Sequence, residues 1–304
     1  MTSQAVTAGV VRQTLGSTGR DWAGLTFAGA LLLSLLFTLA VLGVLIGDQL
    51  TRGVPVFADR GADVLTSPLS SRPAAAGVMQ GIIGTALLAV IVALSAFPIG
   101  ILTAVYLEEY ATPNRFTRLI DINIRNLAGV PSVVYGLLGL AIFVSAFATF
   151  GVGNGRNILT GGLTLAVLIL PLVIITSAEA IRAVPSAIRE AGFGLGASRW
   201  QVVRKLILPA AAPGILTGTV LSISRALGET APLILAGAVL GSFSAGASLE
   251  GPYTALPVIV FDWARKPQAE FRELTSAAIL VLLAVTLIAN TFAIYLRNRY
   301  DRKW

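Results

Sequence analysis

Six stretches of this chain run for the length of a bilayer with few or no charged side chains, and that feature limits the fold more than any other. A helix needs about 20 mostly apolar residues to cross a hydrocarbon core of about 30 Å. Trp22 to Gly47, Pro73 to Leu107, Asn126 to Gly155 and Asn157 to Ala178 contain no Asp, Glu, Lys or Arg. A sixth run, Leu274 to Leu296, is equally clean, and the fifth, about Pro213 to Leu240, carries only Arg225 and Glu229. The runs are continuously apolar, whereas a transmembrane β-barrel would show short alternating strands. The expectation is an all-α membrane protein of about six transmembrane helices. The first run is too long for a signal-peptide core and lacks a small-residue cleavage site, so it is expected to remain as a helix in a chain that starts near Met1.

Composition removes most catalytic chemistry. Of the residues 55% are hydrophobic and 12% charged, with no Cys and no His, so thiol nucleophiles, imidazole bases, disulfides and Cys/His zinc sites are all excluded. The net charge of +7 is dispersed in short basic clusters between apolar runs, which is a pattern of membrane topology rather than of nucleic-acid binding. Lys and Arg concentrate at the N-terminus, at Arg115 to Arg125, at Arg182 to Lys205 and after Arg297. The positive-inside rule therefore puts both termini in the cytoplasm of a multi-pass protein. Thr51 to Ala76 and Ser242 to Glu273 then face outside, the second with an apolar patch, Ala255 to Phe261, too short to span. That patch is either a re-entrant or interfacial helix or a packed loop.

The loop between the fourth and fifth spans carries a specific pattern. Glu190-Ala-Gly is followed by three residues, Gly196, nine residues, Leu206, one residue and Leu208-Pro209. Pro185 suits a helix start, and Gly192, Gly194 and Gly196 each weaken a helix by roughly 1 kcal/mol relative to Ala, so a helix here is expected to need an outside support. The spacing resembles the EAA motif of importer permeases of the ATP-binding-cassette superfamily, with Gly192 where the motif has a third Ala and Leu206 where it has Ile. The resemblance implies a type I ABC importer permease fold with a cytoplasmic coupling helix that docks on a separate ATPase. It assigns that role to Arg189, Glu190, Ala191, Gly196, Arg199, Leu208 and Pro209. No G-x-x-x-x-G-K-[ST] loop occurs in the chain, so ATP is expected to be used by a partner, with no cofactor, metal or catalytic residue here.

A second string, Ser222-Ile-Ser-Arg-Ala-Leu-Gly-Glu-Thr-Ala-Pro232, places Arg225 and Glu229 mid-run. Each ionised group there costs roughly 2.5 to 3.5 kcal/mol on insertion scales. At a spacing of four residues the two share one helix face, with Ser222 a turn earlier. A guanidinium matches the oxygens of a tetrahedral oxyanion, and Glu229 would hold it and weaken binding enough for release. The pair lines an anion path or locks helix packing. The string resembles the PstA-type permeases of phosphate importers. Sulfate and molybdate permeases share R-A-x-G-E but continue differently, where this chain has Thr230-Ala231. Ala128 to Leu137 and Ala255 to Val258 also resemble PstA-type chains. In the former, Pro131, Ser132 and Tyr135 sit at a possible pore mouth or cap a packed helix start.

The resemblance divides the chain into a tail, first helix and external loop over 1–75, a permease domain over 76–296 with its EAA loop at about 185–209, and a basic tail over 297–304. It implies as partners a second, PstC-like permease, a dimer of PstB-like ATPase subunits and an extracytoplasmic PstS-like phosphate-binding protein. The expected function is phosphate import across the bacterial cytoplasmic membrane. A sulfate or molybdate importer is the alternative within the class. Two alternatives outside it are a secondary anion transporter using Glu229 and Glu179 and an intramembrane enzyme, for which the chain has only scattered carboxylates.

Overall fold

The computed structural model describes residues 21–152, 154–239 and 251–300. The tails at 1–20 and 301–304 and the stretch 240–250, which holds the end of the fifth apolar run and part of the second external loop, lie outside the described residues. Among the described residues all regular structure is helical, and six helical segments are long and apolar enough to span.

The chain divides into two units, 1–48 and 49–304. Helix α1 is Trp22–Arg60. Within the first unit its residues are apolar on every side, as suits a helix in lipid.

The second unit is built around a central helix. After the short α2 (Asp63–Thr66), α3 (Met79–Val105) continues through a π-helical turn at Tyr106–Tyr110. The amphipathic α4 (Arg115–Ala128) follows, capped by the Asn114 side chain, which accepts from the Thr117 amide at 2.8 Å. The third span combines α5 (Ser132–Gly139), a second π-helical turn and α6 (Ser145–Thr149). Helix α7 (Ile158–Arg182) is the centre, and most of its apolar length is buried. It packs on α3 where Gly100 leaves room for Val173, and on α10 where Gly218 leaves room for Thr176, a close small-residue contact typical of membrane helices.

The EAA-like loop supplies α8 (Ser186–Gly194) and α9 (Arg199–Val202), and a third π-helical turn leads into α10 (Leu208–Gly228). The fifth span is therefore Arg199–Gly228, displaced toward the N-terminus from the expected Pro213 to Leu240. It stops at Gly228 and a short α11 (Ala231–Leu235) follows. The patch at Ala255 to Phe261 folds as α12 (Leu256–Ala264), a helix with Leu256, Val258, Ile259 and Trp263 buried. It packs against α3 and the final helix α13 (Ala269–Tyr300). Tyr253, just before it, is buried and donates to the Leu233 carbonyl of α11 at 3.3 Å, and burial pushes its hydroxyl pKa up.

Candidate functional site

Two regions carry the residues singled out by the sequence. The first is the loop from Pro185 to Pro209. Pro185 stands at the N-cap of α8 with φ −55° and ψ 139°. Its C-terminal end closes at Gly196, whose φ of +74° is a left-handed conformation that a Cβ would strain. The Gly196 amide donates to Phe193 O at 2.9 Å and the Ala197 amide to Gly192 O at 3.2 Å, the paired bonds of a Schellman motif. Ser198 and Gln201 then form a reciprocal capping box that starts α9.

This loop is also held from within the chain. Arg189 points inward. Its guanidinium donates to Glu109 Oε1 at 2.9 and 3.0 Å, to Ile181 O at 2.9 Å and to Val184 O at 2.6 Å. Glu109 is buried at 8% exposure. The preceding Glu108 takes Arg182 at the end of α7 in a two-pronged ion pair, and Arg199 lies over the Tyr110 ring, 5.4 Å from its centroid. The π-helical turn Tyr106–Tyr110 thus grips the loop at two points, Arg189 and Arg199, and the end of α7 at Arg182. Gly192 is buried where a Cβ would meet Leu206 Cδ1 at 2.8 Å and Val202 Cγ2 at 2.9 Å. The two departures from the EAA pattern touch one another, so the space given up at one is filled by the other.

What the loop presents outward is Glu190, Ala191, Gly196 and Arg199, all exposed, together with Phe193, Leu195 at 89% exposure and Trp200. Leu208 and Pro209 are half-buried and begin α10, where a proline is tolerated in the first turn. Sequence reasoning missed Glu108, Glu109 and Tyr110. The available signal was two adjacent acids at the end of an apolar run, facing a chain rich in Arg on the same predicted side.

The second region is the end of α10. Arg225 and Glu229 do not share one continuous helix, which corrects the expected i, i+4 geometry in mid-span. The helix stops at Gly228, and Glu229 is extended with φ −77° and ψ 125°. The side chains still approach, Arg225 Nε to Glu229 Oε1 at 3.6 Å, with Arg225 45% exposed. That separation exceeds a hydrogen bond, so the guanidinium has donors to spare. Thr230 is half-buried and starts α11, with Pro232 in its first turn. Ser222 is fully buried and donates to Gly218 O at 2.9 Å, so it is not beside the pair on an open path. Its neighbour Ser224 instead reaches across to Asn290 Oδ1 of α13 at 2.5 Å, a contact the sequence did not announce.

The structure brings the Ala128 to Leu137 stretch against this break. Gly136 of α5 lies where a Cβ would sit 2.8 Å from Pro232 Cα, so α5 and α11 are in close contact. Pro131 is exposed at the N-cap of α5 and Ser132 is half-buried. Tyr135 is buried and donates to Leu127 O at 2.9 Å, bridging α5 to α4. Its hydroxyl serves the packed helix start. Among the described residues no group of three or more acidic side chains could hold a metal ion.

The profile of the family described as "Binding-protein-dependent transport system inner membrane component" matches residues 96–303. Phosphate transport system permease protein PstA 1 of Mycobacterium tuberculosis (strain CDC 1551 / Oshkosh) is 34% identical over 218 residues, 70% of this chain and 68% of that protein. Phosphate transport system permease protein PstA of Pasteurella multocida (strain Pm70) is 30% identical over 268 residues, 85% of this chain and 92% of that one. Among solved structures, a chain of a bacterial alginate ABC transporter matches with TM-score 0.66 at 16% identity, covering 93% of this chain and 99% of its own. A chain of the inward-facing MetNI methionine ABC transporter matches at TM-score 0.60 and 17% identity, covering 74% and 96%. The chain has the fold of a type I ABC importer permease, and it belongs to the family of binding-protein-dependent transport system inner membrane components.

Proposed function

We propose that this chain is the permease subunit through which an ATP-driven importer moves inorganic phosphate across the cytoplasmic membrane. The observation that carries the substrate is Arg225, a half-exposed guanidinium at a break between two helices, held at 3.6 Å by Glu229 and otherwise without a polar partner among the described residues. Such a cation offers forked donors to a tetrahedral oxyanion, and the nearby carboxylate keeps the attraction weak enough for release. The PstA names of relatives at 30% and 34% identity support phosphate over sulfate or molybdate.

The exposed face of α8 and of the turn that follows it, with Glu190, Ala191, Gly196, Arg199 and the apolar Phe193 and Leu195, is the surface offered to an ATPase subunit. ATP is bound and hydrolysed there, and this chain needs no cofactor of its own. The assembly includes a PstC-like second permease, two PstB-like ATPase subunits and a PstS-like binding protein. The domain division is a first helix with its external loop over 1–75, a permease domain over 76–296 and a basic tail over 297–304. The Lys and Arg distribution puts both termini in the cytoplasm.

Vesicles carrying the assembled complex test this reading through ATP-dependent uptake of radiolabelled phosphate with sulfate and molybdate as competitors. Uptake that native chain supports and Arg225→Ala abolishes, with ATP hydrolysis intact, is the expected result. Uptake that survives the substitution, or that only sulfate or molybdate suppresses, removes Arg225 or phosphate from the reading.

A further inference from the structure

A cleft of about 620 Å³ opens between the turn after Tyr110, the first half of α4 and the end of α7. Its charged lining is Arg115, Arg118 and Arg182 with Glu108 and Asp121. Both carboxylates are already committed. Glu108 is held by Arg182, and Asp121 receives Arg125 at 3.1 Å from outside the cleft. Arg115 and Arg118 have no ion pair among the described residues, so the cleft carries uncompensated positive charge.

The backbone adds to it. Asn114 caps the Thr117 amide, which leaves the amides of Arg115 and Phe116 in the first turn of a 14-residue helix without an intrahelical acceptor. The positive end of the helix dipole falls on the same spot. The Thr117 hydroxyl is spent on Thr112 O at 3.0 Å and does not compete. α4 also exposes Phe116, Leu119 and Ile122, an apolar strip suited to the border of a bilayer.

We propose that this cleft binds a phosphate group, with the guanidinium forks of Arg115 and Arg118 and the open amides of α4 as donors. Two unpaired guanidinium groups and a helix N-terminus together favour a tetrahedral oxyanion with several acceptor oxygens over a carboxylate. The group comes either from an anionic lipid headgroup or from free phosphate, and the chemistry of recognition is the same. An occupant would sit against Arg182 and Glu108, one residue from the Glu109 that fastens the loop, so the site is placed to bias that loop. The inference is independent of what the pore transports.

The test is hydrogen exchange of peptides spanning 111–121 in the assembled complex in nanodiscs, in three conditions. These are phosphatidylcholine alone, the same with millimolar inorganic phosphate, and phosphatidylcholine mixed with phosphatidylglycerol without phosphate. Exchange slows in one of the two anionic conditions, which identifies the source, and the slowing is lost in Arg115→Gln/Arg118→Gln. It persists in Arg204→Gln/Lys205→Gln, which removes the same charge elsewhere. No slowing in either condition overturns the proposal, as does slowing that the first double variant retains or that both double variants lose equally.

Discussion

Arg189 and Glu109 meet from positions 80 residues apart, while Arg225 and Glu229 are neighbours in sequence, and the two pairs differ in how fully their donors are used. The first guanidinium makes four hydrogen bonds, two to one carboxylate oxygen and two to carbonyls at the end of α7 and just beyond it. Its partner is buried, so the pair is fully committed in a place where an unpaired charge would be costly. The second guanidinium stands 45% exposed with its carboxylate at 3.6 Å, close enough for attraction and too far for a hydrogen bond. A fastener uses up its donors. A site that handles a passing ion must keep some in reserve.

The sharpest way to break this contrast is to remove each arginine. Arg189→Ala strands a buried carboxylate and is expected to cost about 3 kcal/mol, read as a lowered thermal midpoint of the purified complex. Arg225→Ala is expected to cost less than about 1 kcal/mol by the same measurement, as an open ion pair does, while uptake is lost. Equal destabilisation by the two substitutions would make the second pair structural as well. Glu229→Gln sharpens the point further. It should leave the fold unchanged and slow release of phosphate, so single-turnover efflux falls while binding persists.

The smallest effect concerns the loop's own packing. Gly192→Ala gains about 1 kcal/mol of helix propensity and gives it back, because the new methyl lands within 3 Å of Leu206 and Val202. Adding Leu206→Ile relieves one of the two contacts, so the double variant should be more stable than Gly192→Ala alone. A double-mutant cycle on thermal midpoints measures that coupling directly. Additive effects would mean that the two departures from the EAA pattern are unrelated.

The spans and the loop were legible because their signals are local. Long charge-free runs and the spacing from Glu190 to Pro209 need no knowledge of distant residues. The stop at Gly228 had local signals too, a glycine followed by Thr230, Ala231 and a proline that starts the next helix, but the surrounding apolar run reads as one continuous span. Glu109 had none. Its role depends on where Arg189 falls after the chain has crossed the bilayer twice more, and so does the contact of Gly136 with Pro232. The burial of Ser222 was hidden for a related reason, since a serine that bonds back to its own helix and one that faces a path look alike in sequence.

The span between Glu109 and Arg189 also sets a clock. At about 5–20 residues per second of synthesis, the 80 residues that separate them take roughly 4–16 s to emerge. Throughout that interval Glu109 is present at the end of a newly inserted helix while the arginine that will neutralise it does not yet exist. Water at the membrane edge, or a protein that attends insertion, must host the carboxylate until the loop is made. The ion pair that fastens the loop is therefore completed only after the third and fourth spans have been made.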